Sequence, residues 1–406
     1  MERQAEGSFQ ILQSANWITA VLDHLALTVN VPHSDVELDS DLVVREVARS
    51  EVTPDLIARW RDLESRSCHT NAFLSPEFLL PAWKWLEPDG RSFLLTVEER
   101  QSGRLRSLGC FQESPGSRLM AVPHLVAAKT IHSFRTGLLL DECTAEATLN
   151  VWFTYLQKQS QWGGVVFPTM RLDSILAQRM QAALKACHLT WHTGPQITSA
   201  AFFPPIAFEG KLSEHLSKHR CKLLRQKQRN LESVGPVRLH RIERSDEVAQ
   251  AIEQFLNLEN AGWKGKEGTS LQSNFASAQF LREMATGFFE HGKLVLTQLL
   301  AGDHVVASTI NLHGASTLFA FKIGWDPLFA KASPGVLLEN LMLPLVCRDF
   351  PEVTCLDSCA RPGSFLEEIW PHQITIADAV IPTSRFGQTA VAAIESMRYL
   401  KNCLPR

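Results

Sequence analysis

The sequence has no run of about 18 apolar residues free of charge, so its apolar pattern argues against a membrane-spanning helix. The nearest approach, residues 11–29, is interrupted by Gln13, Asn16, Asp23 and His24. Met1, Glu2, Arg3 and Gln4 are not a basic region leading into an apolar core, so no secretory leader is expected. No GxGxxG follows a strand pattern and no GxxxxGK[ST] occurs, so dinucleotide and P-loop sites are not indicated. GxSxG and HExxH are absent as well. The nine cysteines are scattered without a CxxC. Cys355 and Cys359, the closest pair, lack the second pair or His couple that zinc requires. Reduced thiols in a cytoplasmic protein, with no metal, are the expectation. The net charge is only −3, so the whole molecule is no obvious polyanion binder. Tyrosine is scarce, two residues against ten tryptophans, and those tryptophans suit either core packing or stacking on carbohydrate.

What is present is an ordinary globular composition, 45% apolar and 20% charged over 406 residues, which excludes a mainly disordered chain and suggests two or three domains. Residues 1–40 are weakly patterned, with a helix expected near 17–27. From residue 41 the text becomes regular. A strand is expected at 42–47. Thr53-Pro54 and Ser75-Pro76 each open a helix, a capping residue followed by proline at the first helical position. Leu56, Trp60 and Leu63 line the first helix, and Phe78, Leu79, Ala82 and Trp83 the second. A hairpin over 92–97 and 105–111 follows. The second half repeats this order. It has a strand at 202–208, helices at 212–231, 248–261 and 275–289, and a meander at 293–300, 304–312 and 316–323. A helix opened by Ser333-Pro334-Gly335 and a strand at 353–357 complete it. The similar order predicts two copies of one α/β fold, over 41–200 and 201–383, with a C-terminal amphipathic helix over 384–406.

Four stretches carry chemistry. Leu258 to Thr269 is glycine-rich and holds Trp263 and Lys264. It reads either as a loop closing on a substrate, with a stacking face and a positive charge, or as a glycine helix end beside a core tryptophan. Lys322 to Asp326 ends a strand and leads to Ser333-Pro334-Gly335-Val336. The first turn of that helix offers unpaired N–H groups and a partial positive charge, the natural seat of a phosphate, although Ser-Pro also opens helices of no function. Lys218, Arg220, Lys222, Arg225, Lys227 and Arg229 fall within twelve residues that contain no acid. Lys218, Lys222, Arg225 and Arg229 share one helix face, which is either a solvated face or a surface for coenzyme A phosphates or RNA. Asp357, at a predicted strand end, is either a proton acceptor or a turn cap.

Taken in order, Lys222-Leu223-Leu224-Arg225 with Arg229-Asn230-Leu231-Glu232, Leu258-Glu259 with Gly262-Trp263-Lys264-Gly265, Lys322 and Asp326, Ser333-Pro334-Gly335 with Leu337-Leu338, and Leu356-Asp357-Ser358 form a set. That set resembles the CelD-like branch of the GNAT acyltransferase superfamily, which is associated with cellulose and other exopolysaccharide biosynthesis. The branch is similar in build to the Fem-type peptidoglycan aminoacyltransferases, which pair two GNAT folds. The resemblance is strongest over 212–370, weaker over 41–200, and does not reach the first 40 residues. The Arg/Gly-rich pyrophosphate signature of ordinary GNAT enzymes is absent, and Ser333-Pro334-Gly335 stands in its place. The resemblance implies tandem GNAT-like domains and acyl transfer from acetyl-CoA or another acyl-CoA, without a metal, to an amine or hydroxyl of a saccharide or small molecule. It implies Glu259, Lys322 and Asp357 as catalytic residues, Ser333, Pro334, Gly335, Val336 and Arg225 at the donor, and Trp263, Lys264 and Asp326 at the substrate. Aminoacyl-tRNA as an alternative donor, and a non-catalytic role in exopolysaccharide assembly, are the rival readings.

Overall fold

A computed structural model of the chain describes residues 41–403, apart from 206–207, 209–213 and 215. The expected helix near 17–27 and the N-terminal part of the helix expected at 212–231 lie outside the described residues. The first half opens with β1 (Leu42–Val47) and the paired helices α1 (Pro54–Ser65) and α2 (Pro76–Trp85). Thr53 caps α1 by accepting from Leu56 N, and the turn residue Ser75 precedes Pro76. Both helices bury the faces expected of them. Then come β2 (Phe93–Glu99), β3 (Leu105–Ser114), β4 (His124–Ala127), the short β5 (Leu139–Leu140), α3 (Ala145–Lys158), β6 (Gly164–Arg171), α4 (Ile175–Ala186), β7 (His192–Thr193) and β8 (Ile197–Phe202). The β2–β3 turn uses Gly103 at φ +67°, the left-handed region a side chain disfavours.

The second half holds α5 (Lys218–Glu232), β9 (Val237–Arg241), α6 (Ser245–Ala261), the single turn α7 (Trp263–Lys266) and α8 (Phe275–Glu290). The meander β10 (Leu294–Ala301), β11 (His304–Gly314) and β12 (Thr317–Trp325) is antiparallel as expected. It is followed by α9 (Pro334–Asp349), β13 (Cys355–Asp357), β14 (His372–Pro382) and α10 (Arg385–Cys403). The strand expected at 202–208 is displaced: β8 ends at Phe202 instead, because Pro204 and Pro205 have no N–H to give a ladder.

The strands make one continuous sheet in the order β1-β2-β3-β4-β6-β14-β8-β13-β12-β11-β10-β9, with β5 on β3 and β7 on β14. Each half shows the same signature, an antiparallel run ending in one parallel pair, β4 with β6 and β12 with β13. The halves are stitched together by exchange. β14, last in the chain, pairs with β6 of the first half, while β8 pairs with both β14 and β13. One apolar core runs across both halves on one face of the sheet. It joins Trp60 and Phe78 to Phe255, Phe280 and Phe288, and the ring of Phe73 lies edge-on to Phe319 of β12 at 5.3 Å. Lys293 bridges the two halves, donating to Glu64 at 2.7 Å and Glu77 at 3.1 Å.

Candidate active site

The site begins where two strands part. β12 pairs with β13 only over Thr317, Leu318 and Phe319, opposite Cys355, Leu356 and Asp357. β12 then runs on to Trp325 with that edge free of a strand partner among the described residues. A register shift opposite Ile310/Asn311 makes Phe321 an extra residue, the local kink of a β-bulge. Beside the free edge lies a cleft of about 600 Å³, bounded by β12, α7, α9 and the segment 358–366.

Lys322 stands in this cleft. Its Nζ lies 5.3 Å from the ring centre of Phe134 and 5.5 Å from that of Phe321, and no hydrogen bond or ion pair holds it among the described residues. Burial, with the charge of Lys264 added, brings its pKa down to about 8. Trp263 and Lys264 also line the cleft, and the ring of Trp263 is 57% exposed, so it is a rim residue and not part of the core. Glu259 lies buried behind them. Its Oε1 accepts from Lys264 Nζ at 2.7 Å and its Oε2 from Leu271 N at 2.9 Å. Two glycines permit this packing. A Cβ on Gly324 of β12 would meet Glu259 N at 2.8 Å, and one on Gly265 would overlap Asn260 O.

Asp357 ends β13 beneath the cleft and is fully engaged. Arg135 grips it with Nε at 2.8 Å and Nη2 at 2.6 Å, and Cys359 N donates at 2.8 Å. Arg135 also donates to Ser199 Oγ at 3.0 Å, so the pair ties the β4–β5 connection to β8 and β13. Bidentate geometry is the strong form of this contact.

The α9 start sits at the end of β12. Ser333 is left-handed at φ 48°, Pro334 occupies the first turn, and Gly335 approaches Ile323 so closely that a Cβ would stand 3.2 Å from its Cδ1. Among the described residues no side chain caps this end, which leaves first-turn N–H groups for an incoming acceptor. Lys227 donates to Ser333 Oγ at 2.6 Å. Of the basic residues of α5 it is Lys227 that reaches the turn, whereas Lys218, Lys222, Arg225 and Arg229 are exposed along the solvent face. Asp326 caps the turn 327–332 by accepting from Leu328 N at 2.9 Å.

Thus the structure gathers Trp263, Lys264 and Lys322 in one cleft with Glu259 and Asp357 directly behind it, and places Ser333–Val336 at its strand end. Arg225 and Asp326 stand apart from the cleft lining. Sequence reasoning missed four contributors. Phe134 and Arg135 come from the first half, with no local signal. Arg361 lies on the segment after β13. Glu339 of α9 is a lone acid in the apolar run 336–346, a pattern that marks it. Glu339 is buried, its Oε1 lies 3.5 Å from Thr309 Oγ1, and its Oε2 has no hydrogen-bond partner among the described residues. Burial pushes its pKa up to about 7. Among the described residues no group of three His, Cys, Asp or Glu side chains is placed to hold a metal, and no helix is long and apolar enough to cross a membrane.

A family model described as an acetyltransferase (GNAT) domain matches residues 217–362, which include β12, α9, β13 and most of the cleft. No curated protein matches the chain. Among solved structures, FemX is 8% identical, over 83% of this chain and 96% of its own, with a TM-score of 0.54. A conserved protein of unknown function from Bacteroides thetaiotaomicron is 12% identical over 81% and 97%, with a TM-score of 0.49. A tandem GNAT protein from the clavulanic acid biosynthesis pathway is 11% identical over 84% and 98%, with a TM-score of 0.42. At such identities the likeness is one of fold, and the FemX structure carries it. The chain is a mixed α/β protein of tandem GNAT-like build, and its residues 217–362 are similar to a GNAT acetyltransferase domain.

Proposed function

We propose that the chain is an acyltransferase that moves an acetyl or other acyl group from acyl-CoA to an amine or hydroxyl of a saccharide, a polysaccharide precursor or a small metabolite. Its two domains are 41–200 and 201–383, and the CelD-like pattern points to exopolysaccharide biosynthesis. One observation carries this reading: β12 leaves β13 and exposes a free strand edge that leads from the uncapped α9 start to the Lys322 cleft. An extended donor lies along such an edge by strand-like hydrogen bonds. Its pyrophosphate sits on the first-turn N–H groups of Gly335 and Val336 beside Lys227. Holding the two reactants together supplies most of the catalytic gain in a direct transfer. Lys322 interacts with the reacting groups, Glu259 fixes Lys264, and Asp357 fixes Arg135 and the turn at Cys359. Trp263 forms the acceptor's wall.

Calorimetry with acetyl-CoA and CoA tests this. Micromolar binding is expected, weakened about tenfold in Lys227→Ala, the loss of one charge-assisted contact, and abolished in Gly335→Trp. Absence of heat with any CoA species refutes it. The exposed stripe of Lys218, Lys222, Arg225 and Arg229 favours a second reading, aminoacyl-tRNA as the donor. It predicts RNA binding that falls steeply with salt.

A further inference from the structure

We propose that Glu339 is the proton acceptor of the transfer, a catalytic residue whose free Oε2 takes the proton of the attacking amine or hydroxyl. The proposal rests on the acyltransferase reading above. Three carboxyls stand in or directly behind the cleft, and their partners separate them. Both oxygens of Glu259 are occupied, by Lys264 and by Leu271 N. Both oxygens of Asp357 are occupied, by Arg135 and Cys359 N. Of the three, Glu339 alone lines the cleft, and it alone has an oxygen without a partner among the described residues. It makes one long contact, 3.5 Å to Thr309 Oγ1, too weak to account for a 2% exposed carboxyl on structural grounds. A buried carboxyl that lines a cleft and has an oxygen with no hydrogen-bond partner among the described residues is set up to exchange a proton with a group that reaches it.

The step balances as follows. The lone pair of the nucleophile forms the bond to the acyl carbon, the C–S bond breaks and its electron pair leaves on sulfur. The proton lost by the nucleophile goes to Glu339 Oε2, and the Lys322 ammonium gives one to the sulfur. Solvent then restores both groups. The pKa values suit these directions, about 7 for the acceptor and about 8 for the donor. The polar groups that face Glu339 or share its cleft are Thr309 of β11, Lys322 of β12, Lys264 of α7, and Cys359 and Arg361 of the 358–366 segment.

The test is thiol release from acetyl-CoA with a panel of amines and saccharides, and with water as nucleophile, at pH 5.5 to 9, beside acetyl-CoA calorimetry. Glu339→Gln is expected to keep the affinity for acetyl-CoA, to lose about 10²–10⁴-fold in kcat, and to lose the acid limb near neutrality. Thr309→Val removes the weak contact that favours the charged carboxyl and is expected to move that limb slightly to higher pH, a shift that a packing role does not produce. Glu339→Gln that binds and turns over like the wild type, with the same limb, overturns the proposal and leaves the acyltransferase reading intact. Wild type that binds no CoA species overturns both. Wild type that binds acetyl-CoA but releases no thiol above the uncatalysed rate overturns the proposal. An unchanged melting midpoint in Glu339→Gln shows that the loss is chemical.

Discussion

The pair Arg135–Asp357 offers a test of how the site is held together. Both side chains are buried, and two parallel N–H to oxygen bonds of 2.6 and 2.8 Å join them. Asp357→Asn keeps the shape and the contact to Cys359 N but strands the guanidinium, which retains Ser199 Oγ and Phe134 O. Arg135→Met strands the carboxylate instead. Breaking a buried pair from one side costs about 3–5 kcal/mol, because the charge left behind has no counterpart. That is a large share of a typical stability of about 5–15 kcal/mol. Replacing both at once with apolar side chains removes the stranded charge, so Arg135→Met/Asp357→Leu is expected to be more stable than either single variant. Urea unfolding followed by tryptophan fluorescence measures all four proteins, and the free energies close a double-mutant cycle. Single variants that each lose less than about 1 kcal/mol, the range of an exposed pair, refute the reasoning. The same series separates two roles for Asp357. A clamp loses stability in Asp357→Asn, whereas a proton acceptor would fold like the wild type and lose only turnover.

Two further outcomes follow from the packing around Lys322. Gly324→Ala places a methyl group 2.8 Å from Glu259 N and 3.3 Å from Glu259 Cα, so α6 must shift from β12 at a cost of about 1–3 kcal/mol. A melting midpoint equal to the wild type's would contradict this. Lys322→Met is expected to stabilise the protein at pH 7. The native pKa of Lys322 lies at about 8, against 10.5 for the free side chain, so between these values the unfolded chain holds more protons and wild-type stability rises with pH. The advantage of the Met variant is therefore full below about 8 and gone by about 10.5. An advantage independent of pH in thermal scans would show that Lys322 is not desolvated.

The elements read correctly from the sequence are those fixed by a few adjacent residues. Thr53-Pro54 and Ser75-Pro76 start helices because the cap and the proline act within one turn. The meander was legible because Gly302 at φ +60° and the alternating patterns around it are local signals. β14 was not legible: its partners β6 and β8 are about 200 residues away, and nothing in residues 372–382 announces them. The site divides in the same way. Trp263, Lys264 and Lys322 were recognisable because charge and aromatic rings fell at element ends. The basic stripe of α5 was legible as a pattern, and its shared face is exposed. Lys227, off the stripe, makes the contact with Ser333 because α5 packs its other side toward the α9 start.

Strand exchange gives the reason the cleft draws on both halves. Because β14 and β8 lie between β6 and β13, the β4–β5 connection of the first half is carried across to the end of β13. Phe134 and Arg135 come with it. Phe134 covers the ammonium of Lys322, and that ring is part of the burial that lowers its pKa. Arg135 fixes Asp357 at the point where β12 and β13 diverge. An isolated second half would keep the free strand edge and the α9 start, and with them the means to bind a donor. It would lose the apolar cover over Lys322 and the anchor of the 358–366 segment, so the proton chemistry would return toward that of a lysine in water. On this argument the first half, whose own β4–β6 divergence is bridged by the Thr136–Met170 pair, sets the protonation of the site that the second half builds.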